Sequence, residues 1–176
     1  MEHADHVRLL RDGVMPGGVW ADLGAGTGAF TLALVELLGP GGEVIAVDRD
    51  RGALRDLERA VRPGGATVRT LAADFTKRID LPALDGIVMA NSLHFVKDKA
   101  PVLALVHDML KPSGRLLLVE YDADQGNPYV PHPLSSTTWR TLADRSGFTA
   151  TRELASVPSR FLGRIYSALS EIDTRS

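Results

Sequence analysis

The chain has 176 residues, of which 44% are hydrophobic and 24% are charged, a composition typical of one globular domain. The formal net charge of −2 gives no electrostatic reason to expect a nucleic-acid partner. The absence of cysteine excludes disulfides, thiolate nucleophiles and cysteine metal sites. The charged amino terminus has no signal-peptide pattern, and the apolar runs are too short to span a membrane, so we expect a cytoplasmic protein without membrane contact.

Short apolar runs alternate with amphipathic segments over the first two thirds of the chain. The predicted strands, each apolar on both faces, are Val19–Leu23, Val44–Val47, Val68–Ala72, Gly86–Ala90 and Leu116–Val119. The predicted helices are Ala29–Leu38, Arg51–Val61 and Ala100–Leu110, preceded by an amino-terminal helix within residues 1–14. This alternation predicts parallel strands joined by crossover helices, because a parallel pair needs a long connection.

The pattern changes after the fifth predicted strand. The segment 122–134 has three prolines and no periodicity, and we interpret it as a loop that contacts the substrate. A helix is predicted at Ser135–Ser146, followed by strands at Thr149–Val157 and Phe161–Leu169. The segment between these strands is too short for a crossover helix, so they must pair antiparallel. The prediction is a single α/β domain over residues 1–176. Its doubly wound, mostly parallel, seven-stranded sheet ends in an antiparallel hairpin and carries helices on both faces.

A glycine-rich stretch, VWADLGAGTGAF at residues 19–30, includes the first predicted strand and the turn after it. Glycine there lets the backbone approach a ligand closely, and open parallel sheets bind ligands beyond the carboxyl ends of their strands. Gly24, Gly26 and Ala29 satisfy the dinucleotide pattern GxGxxG/A. Asp48 ends the second strand, where it could accept hydrogen bonds from ribose hydroxyls. Taken alone, this pattern favours an oxidoreductase that uses a nicotinamide or flavin dinucleotide.

Other residues favour a different nucleotide. Asp22, just before the glycines, would repel a pyrophosphate but suits a ligand with an ammonium group and a positive sulfur. Asp74 and Phe75 directly follow the third strand. There a carboxylate can accept a hydrogen bond from the amine of adenine, and a phenyl ring can cover the face of the base. The terminal hairpin also departs from the mostly parallel sheet of dinucleotide-binding domains.

The succession of motifs carries a family resemblance. The stretches are DLGAGTG at 22–28, VIAVDRD at 44–50, AADF at 72–75, GIVMANSLHFV at 86–96 and LKPSGRLLLVE at 110–120. Together they resemble the motifs of class I S-adenosylmethionine-dependent methyltransferases of the general, small-molecule type. The resemblance implies a Rossmann-like fold, S-adenosylmethionine as cofactor and S-adenosylhomocysteine as product. It also implies methyl transfer to a small molecule that the sequence does not identify.

The same resemblance implies a set of cofactor-binding residues. They are Asp22, Gly24, Ala25, Gly26, Gly28, Asp48, Arg49, Asp74, Phe75 and Asn91. In this scheme the glycine loop lines the methionine part, with Asp22 holding its amino group directly or through water. Asp48 takes the ribose hydroxyls, Asp74 and Phe75 recognise adenine, and Asn91 faces the sulfonium end. Gly28 is equally consistent with tight packing of a helix on the first strand.

The sequence assigns no catalytic residue. Methyl transfer from a sulfonium mainly needs alignment, and it needs a base only when the acceptor is protonated. His94 and Tyr121, at the ends of the fourth and fifth strands, are the candidates, and His94 is equally consistent with a structural hydrogen bond at the strand exit. No metal site is expected, since the other histidines lack partners at ligand spacing.

Two other functions remain open from the residues alone. The GxGxxA pattern at 24–29 is consistent with an NAD(P)-dependent oxidoreductase, and the small size is consistent with a non-catalytic methyltransferase-like binding module. For the main prediction we expect a small-molecule substrate, no nucleic acid, and a monomer or homodimer.

Overall fold

The structure is a computed structural model that describes residues 1–172, which form one seven-stranded sheet with helices on both faces. The strands β1 to β7 lie at Gly18–Leu23, Gly42–Asp48, Thr67–Ala72, Leu84–Ala90, Leu110–Tyr121, Phe148–Pro158 and Arg164–Ile172. Their order across the sheet is β3-β2-β1-β4-β5-β7-β6. The pairs from β3 to β5 are parallel, and β7 runs antiparallel to both of its neighbours. The predicted fold class is confirmed.

Glycine and short polar side chains set the helix boundaries. The helices α1 to α5 lie at His3–Leu10, Ala29–Leu38, Arg51–Ala60, Ala100–Met109 and Ser136–Arg145. Asp50 begins α3 by accepting hydrogen bonds from the backbone N–H groups of Gly52 (2.8 Å) and Ala53 (3.1 Å), as expected of an N-cap aspartate. Helix α2 ends at Gly39, whose φ of 69° suits glycine, and Pro40 follows. Within residues 1–172, no helix combines the length and the hydropathy of a membrane span.

Two apolar layers bury the two faces of the sheet. One layer packs α1 and α2 against the face that carries Trp20 and Leu117, while α3 closes a small adjoining cluster through Leu54 and Leu57. The other layer packs α4 and α5 against the opposite face, where Trp139 is fully buried. Strands buried on both faces read as continuous apolar runs, which explains why the sequence located the central strands correctly.

The third and the last strands differ from their predictions. β3 has no fully buried residue, so the expectation of two apolar faces is wrong for it. The reason is its position at the edge of the sheet, where one side meets solvent. The last strand begins at Arg164 and not at Phe161. Phe161 lies in a turn, where it is 64% exposed. A 2.8 Å hydrogen bond from the Ser159 N–H to the Gly163 carbonyl closes this turn.

The strand order places a ligand site beside β1. Chain progression reverses there, because β2 and β3 lie on one side of β1 and β4 and β5 lie on the other. Ligands of open α/β sheets bind at such a reversal, in the crevice outside the carboxyl ends of the strands. The polar residues that follow β1, β2, β3 and β4 are therefore brought to one edge of the sheet.

Candidate functional site

A cavity of about 420 Å³ opens at the carboxyl edge of the sheet, beside β1. It is walled by the loop after β1 and by the residues that follow β2, β3 and β4. The predicted cofactor residues that line it are Gly24, Gly26, Asp48, Arg49, Asp74, Phe75 and Asn91. Residues separated by up to 67 positions in the sequence thus surround one space, as the parallel topology predicts.

The loop after β1 presents bare backbone to the cavity. Gly24 and Gly26 have φ values of 83° and 54°, in the left-handed region that favours glycine. A Cβ on Gly24 would lie 2.5 Å from the Cβ of Ser92, so this position tolerates no side chain. A Cβ on Gly26 would meet no atom within 4 Å, so a side chain there would project into open space. The loop therefore leaves room for a ligand against its main chain.

Asp48 holds the glycine loop in place and retains acceptor capacity. Its Oδ2 accepts a 2.8 Å hydrogen bond from the Gly26 N–H, and its Oδ1 accepts a 2.9 Å bond from the Asp50 N–H. An ionised carboxylate offers about four acceptor sites, so two remain for hydroxyl donors of a ligand. This arrangement fits a ribose at the end of β2.

Asp74 and Phe75 form the wall that follows β3. The Thr76 hydroxyl and N–H donate to Asp74 Oδ1 at 2.7 and 2.9 Å, and these bonds lower the pKa of the Asp74 carboxyl below its ordinary value. The carboxylate is therefore ionised at neutral pH, with Oδ2 available to accept a hydrogen bond. The half-buried Phe75 ring packs on the apolar layer beneath and lines the cavity with its free side. A planar ring with an amine donor, such as adenine, fits this pair.

Asn91 brings an unsatisfied acceptor to the cavity. Its Oδ1 is buried and has no hydrogen-bond partner among residues 1–172. Its backbone has a φ of 51°, a left-handed conformation that asparagine tolerates better than most residues, and its N–H donates to the Val119 carbonyl at 2.9 Å. Buried acceptors without partners are rare in proteins, so this atom indicates a place for a ligand donor or positive group.

Three predicted residues do not line the cavity. Asp22 is only 1% exposed and accepts a 2.7 Å hydrogen bond from the Thr31 hydroxyl. Burial raises the pKa of its carboxyl to about 6, and the nearby Asp48 charge adds to the effect. Ala25 packs against the cluster beneath α3. Gly28 faces Leu57, whose Cδ1 would lie 2.2 Å from an added Cβ, so this glycine permits helix packing.

The two catalytic candidates meet a third titratable group, Glu120. His94 is 3% exposed, and its Nδ1 lies 2.8 Å from Glu120 Oε1, at hydrogen-bond distance. The rings of His94 and Tyr121 have centroids 5.6 Å apart. Burial, and then the Glu120 charge, raises the pKa of the Tyr121 hydroxyl above its ordinary value, so Tyr121 stays protonated at neutral pH.

Sequence reasoning missed several residues at this edge of the sheet. Ser92, Phe95 and Val96 line the cavity, and Glu120 lies behind it. Ser92, Phe95 and Val96 follow β4 in a largely apolar stretch that is typical of core residues, yet Phe95 is 64% exposed. The available signal was proximity to Asn91, since the residues that follow a strand at the ligand edge share its site.

A comparison with known families gives a match to a methyltransferase domain over residues 21–116, more than half of the chain. The chain belongs to this methyltransferase domain family. The matched span contains every cofactor residue named above, so the family assignment and the cavity concern the same part of the molecule. The resemblance to class I S-adenosylmethionine-dependent methyltransferases is confirmed.

Curated relatives of the methyltransferase domain include quinone-pathway enzymes. The ubiquinone/menaquinone biosynthesis C-methyltransferase UbiE of Pasteurella multocida is 34% identical over 113 residues, which is 62% of this chain and 42% of that protein. The enzyme of the same name from Ectopseudomonas mendocina is 33% identical over 122 residues, or 67% of this chain and 47% of that protein. The chain therefore spans less than half the length of these relatives.

Solved structures share the fold of the methyltransferase domain over nearly its whole length. A SAM-dependent methyltransferase from Aquifex aeolicus has a TM-score of 0.74 and 22% identity, covering 96% of this chain and 89% of that one. The N-methyltransferase NodS from Bradyrhizobium japonicum WM9, in complex with S-adenosyl-L-homocysteine, has a TM-score of 0.73 and 18% identity, covering 97% and 85%. At these identities the similarity establishes the fold alone.

The chemistry of the methyltransferase domain's cavity fits S-adenosylmethionine. Free carboxylate acceptors at Asp48 and Asp74 suit ribose hydroxyls and an adenine amine, and the bare loop at Gly24–Gly26 suits an extended amino-acid moiety. The unpartnered Asn91 Oδ1 suits the electropositive end. Within residues 1–172, no group of three or more His, Asp or Glu side chains is placed to hold a metal ion.

Proposed function

We propose that this methyltransferase domain binds S-adenosylmethionine at the carboxyl ends of β1 to β4 and transfers its methyl group to a small molecule. The observation that carries the proposal is the convergence of three acceptors, on Asp48, Asp74 and Asn91, around one cavity walled by bare glycine backbone. Each acceptor matches a different donor or positive part of the cofactor.

The proposed site divides the cofactor among the strands. Asp48 accepts the ribose hydroxyls with Arg49 alongside, and Asp74 with Phe75 holds the adenine. The main chain from Gly24 to Gly26 follows the methionine part. In the proposal Asn91 faces the sulfonium.

Asp22, Ala25 and Gly28 act from behind the cavity wall. The Asp22 carboxylate reaches the ammonium group through a short water link or by a small shift of the loop, because it is buried beneath that loop. Ala25 and Gly28 fix the loop against α3, through the apolar cluster that contains Leu57. Their contribution to binding is therefore the shape of the loop.

The bound cofactor supplies a methyl group on a sulfonium, with a neutral thioether as leaving group. The chain's own residues bind and orient it, and they keep water from the reacting face. Alignment of this kind can supply roughly 7–11 kcal/mol of the barrier, which is why catalysis needs little further chemistry from side chains.

The proposed wall for the acceptor is the segment 122–134. The His132 N–H donates to the His94 carbonyl at 2.9 Å, and Lys99 Nζ donates to the carbonyls of Val96 and His132 at 2.8 Å each. These bonds hold the segment beside Val96, which lines the cavity. The amino-terminal helix α1 packs on α2 through the rings of His6 and Phe30, with centroids 4.7 Å apart, on the face of the sheet opposite to α4.

Further features of the proposal concern partners and location. The arginine-rich helix α3 interleaves acids, as in the 2.9 Å ion pair of Arg59 with Asp56, which supports a solvated face over a nucleic-acid surface. We further propose that the chain acts as a single domain, as a monomer or homodimer, in the cytoplasm. The relatives named above are C-methyltransferases of ubiquinone and menaquinone biosynthesis.

Calorimetry tests the proposal directly. The purified chain should bind S-adenosylhomocysteine with one site per chain and should show no heat with NADH at the same concentration. The matched variant is Asp56→Ala, which removes an exposed acid from α3 away from the cavity and should bind as the parent does. Binding of NADH without binding of S-adenosylhomocysteine would instead identify an oxidoreductase.

A further inference from the structure

A group of titratable side chains is buried where β4 and β5 end, and cofactor binding does not use it. Glu120 is fully buried, His94 is 3% exposed and Tyr121 is 8% exposed. Burying an ionised carboxylate is costly unless it is paired and hydrogen-bonded. Clusters of buried titratable groups beside a ligand cavity are candidates for a role in the reaction.

Hydrogen bonds to Glu120 determine which nitrogen of His94 carries a proton. His94 Nδ1 lies 2.8 and 3.1 Å from the two carboxylate oxygens, and the backbone N–H groups of Tyr121 and His94 donate to the same carboxylate at 2.8 and 3.2 Å. Because the Glu120 side chain also accepts from these two backbone N–H groups, we assign Nδ1–H as a further donor to it. With Nδ1 protonated, the lone pair of a neutral ring is on Nε2.

The other charged and titratable groups around Glu120 leave His94 as its proton-carrying partner. Lys99, at the start of α4, directs its ammonium group to two backbone carbonyls; burial lowers its pKa, and the Glu120 charge opposes this. Tyr166, on β7, donates its hydroxyl to the Leu134 carbonyl, and burial raises its pKa. Tyr121, on β5, also stays protonated. Imidazole is the kind of side chain whose ordinary change of charge lies nearest neutral pH.

His94 belongs to a stretch that contacts both the cofactor cavity and the proposed acceptor wall. Its neighbours Ser92, Phe95 and Val96 line the cavity, and the centroids of the His94 and Phe95 rings are 4.3 Å apart. The His94 carbonyl accepts the N–H of His132 from the segment 122–134.

We infer that His94 Nε2 is the proton acceptor of the reaction and that Glu120 is its positioning residue. The substrate class is then one whose reacting atom bears a proton, such as a hydroxyl, an N–H group or an activated C–H group. The inference rests on the proposed function. As the acceptor's electron pair forms the new bond to the methyl carbon, the carbon–sulfur pair stays on sulfur, and the acceptor's proton moves to Nε2. The resulting imidazolium is stabilised by the Glu120 carboxylate.

The test reads the tautomer and the accessibility of His94 without needing the acceptor. In protein labelled with ¹⁵N-histidine and saturated with S-adenosylhomocysteine, nitrogen shifts should show a protonated Nδ1 and an unprotonated Nε2 at neutral pH. Diethyl pyrocarbonate attacks unprotonated imidazole nitrogen, and peptide mapping should find the His94 ring modified. Glu120→Gln should slow this modification several-fold and mix the tautomers. Glu153→Gln, on β6 and paired with Arg164, should change neither.

The outcomes separate this inference from the proposed function. A protonated Nε2, or a His94 that stays unmodified while exposed His3 reacts, would overturn the proton-acceptor assignment even if S-adenosylhomocysteine binds. Failure of S-adenosylhomocysteine to bind would reject the proposed function, and the ligand-free protein would still report the tautomer of the pair. Equal reactivity of His94 in the parent and in Glu120→Gln would remove Glu120 from its positioning role.

Discussion

Asp48 Oδ2 accepts a 2.8 Å hydrogen bond from the backbone N–H of Gly26, which joins the end of β2 to the loop after β1. The bond explains why a glycine with a φ of 54° keeps a defined position although no atom would contact a Cβ placed on it. One carboxylate therefore both shapes the loop and faces the cavity, so the two parts of the proposed site depend on each other.

Asp48→Ala should weaken S-adenosylhomocysteine binding by about 1–3 kcal/mol, because ribose hydroxyls lose a charged acceptor and the Gly26 loop loses its anchor. Isothermal titration calorimetry measures the change. Asp56→Ala serves as the control, since it removes an exposed acid of α3 that does not line the cavity. Equal affinity of the Asp48→Ala variant and the parent would place the ribose elsewhere.

Alanine at Gly26 and at Gly28 should separate ligand contact from helix packing. At Gly28 a Cβ would meet Leu57 at 2.2 Å and φ is 92°, so Gly28→Ala should lower the free energy of unfolding by about 2–4 kcal/mol. At Gly26 the space is open, so Gly26→Ala should cost about 1–2 kcal/mol for the left-handed backbone alone.

The ligand affinities of these two variants should show the opposite order. The methyl group of Gly26→Ala occupies the space of the ligand, whereas folded Gly28→Ala keeps the cavity wall intact. Urea unfolding and calorimetry on both proteins give the comparison. A Gly26→Ala protein that binds S-adenosylhomocysteine as tightly as the parent would show that the ligand does not approach this loop.

Asn91→Gly should leave the ligand-free protein about as stable as the parent, because Oδ1 has no partner to lose and glycine adopts a φ of 51° without strain. Asn91→Ala should be about 1 kcal/mol less stable than Asn91→Gly, since an L-residue is strained there. Both variants should bind S-adenosylhomocysteine about 1 kcal/mol more weakly, because the ligand loses an acceptor. Asn91→Asp retains an acceptor and should therefore bind S-adenosylhomocysteine about as tightly as the parent. If Asn91→Asp binds as weakly as Asn91→Gly and Asn91→Ala, a ligand role for Oδ1 is contradicted.

Asp22 should make the ligand-free protein less stable as the pH rises. Burial raises the pKa of its carboxyl from 3.8 to about 6, so the folded state holds a proton that the unfolded chain releases. The stabilisation is fully present below pH 3.8 and is lost as the pH rises through 6, and it amounts to about 3 kcal/mol.

Asp22→Asn isolates this effect. The side chain keeps its shape and can still accept from the Thr31 hydroxyl, but it cannot ionise. Urea unfolding of both proteins between pH 4 and 7 should show the parent losing stability relative to the variant. A constant difference across that range would mean that Asp22 is not buried in the folded state as its 1% exposure indicates.

Local sequence patterns predicted the central part of the sheet well and its margins less well. Apolar runs bounded by glycine and proline located β1, β2 and β4 within two residues, because these strands are buried on both faces. The third strand was also located within one residue, but its predicted burial on both faces is wrong, since its position at the sheet edge leaves it without a fully buried residue. Phe161 reads as a strand residue, but the turn closed by Ser159 and Gly163 exposes it.

The residues of the candidate site could likewise be predicted from the sequence only in part. Glycines and acids that directly follow strands could be assigned from the sequence, because parallel strands place their carboxyl ends at one edge. The burial of Asp22 against Thr31 could not be assigned, nor could the contact of Gly28 with Leu57, since both depend on how helices pack on the sheet.

The sequence by itself determined the alternation of strands and helices, the terminal hairpin and the edge of the sheet at which the proposed ligand site lies. Each of these follows from hydrophobic periodicity and from glycine and proline, which act over a few residues. Only the tertiary structure decided that Glu120 meets His94 across β4 and β5, that Asn91 Oδ1 lacks a partner, and that Phe95 is exposed. These properties depend on contacts between residues far apart in the chain, and the pairing of neighbouring strands creates them.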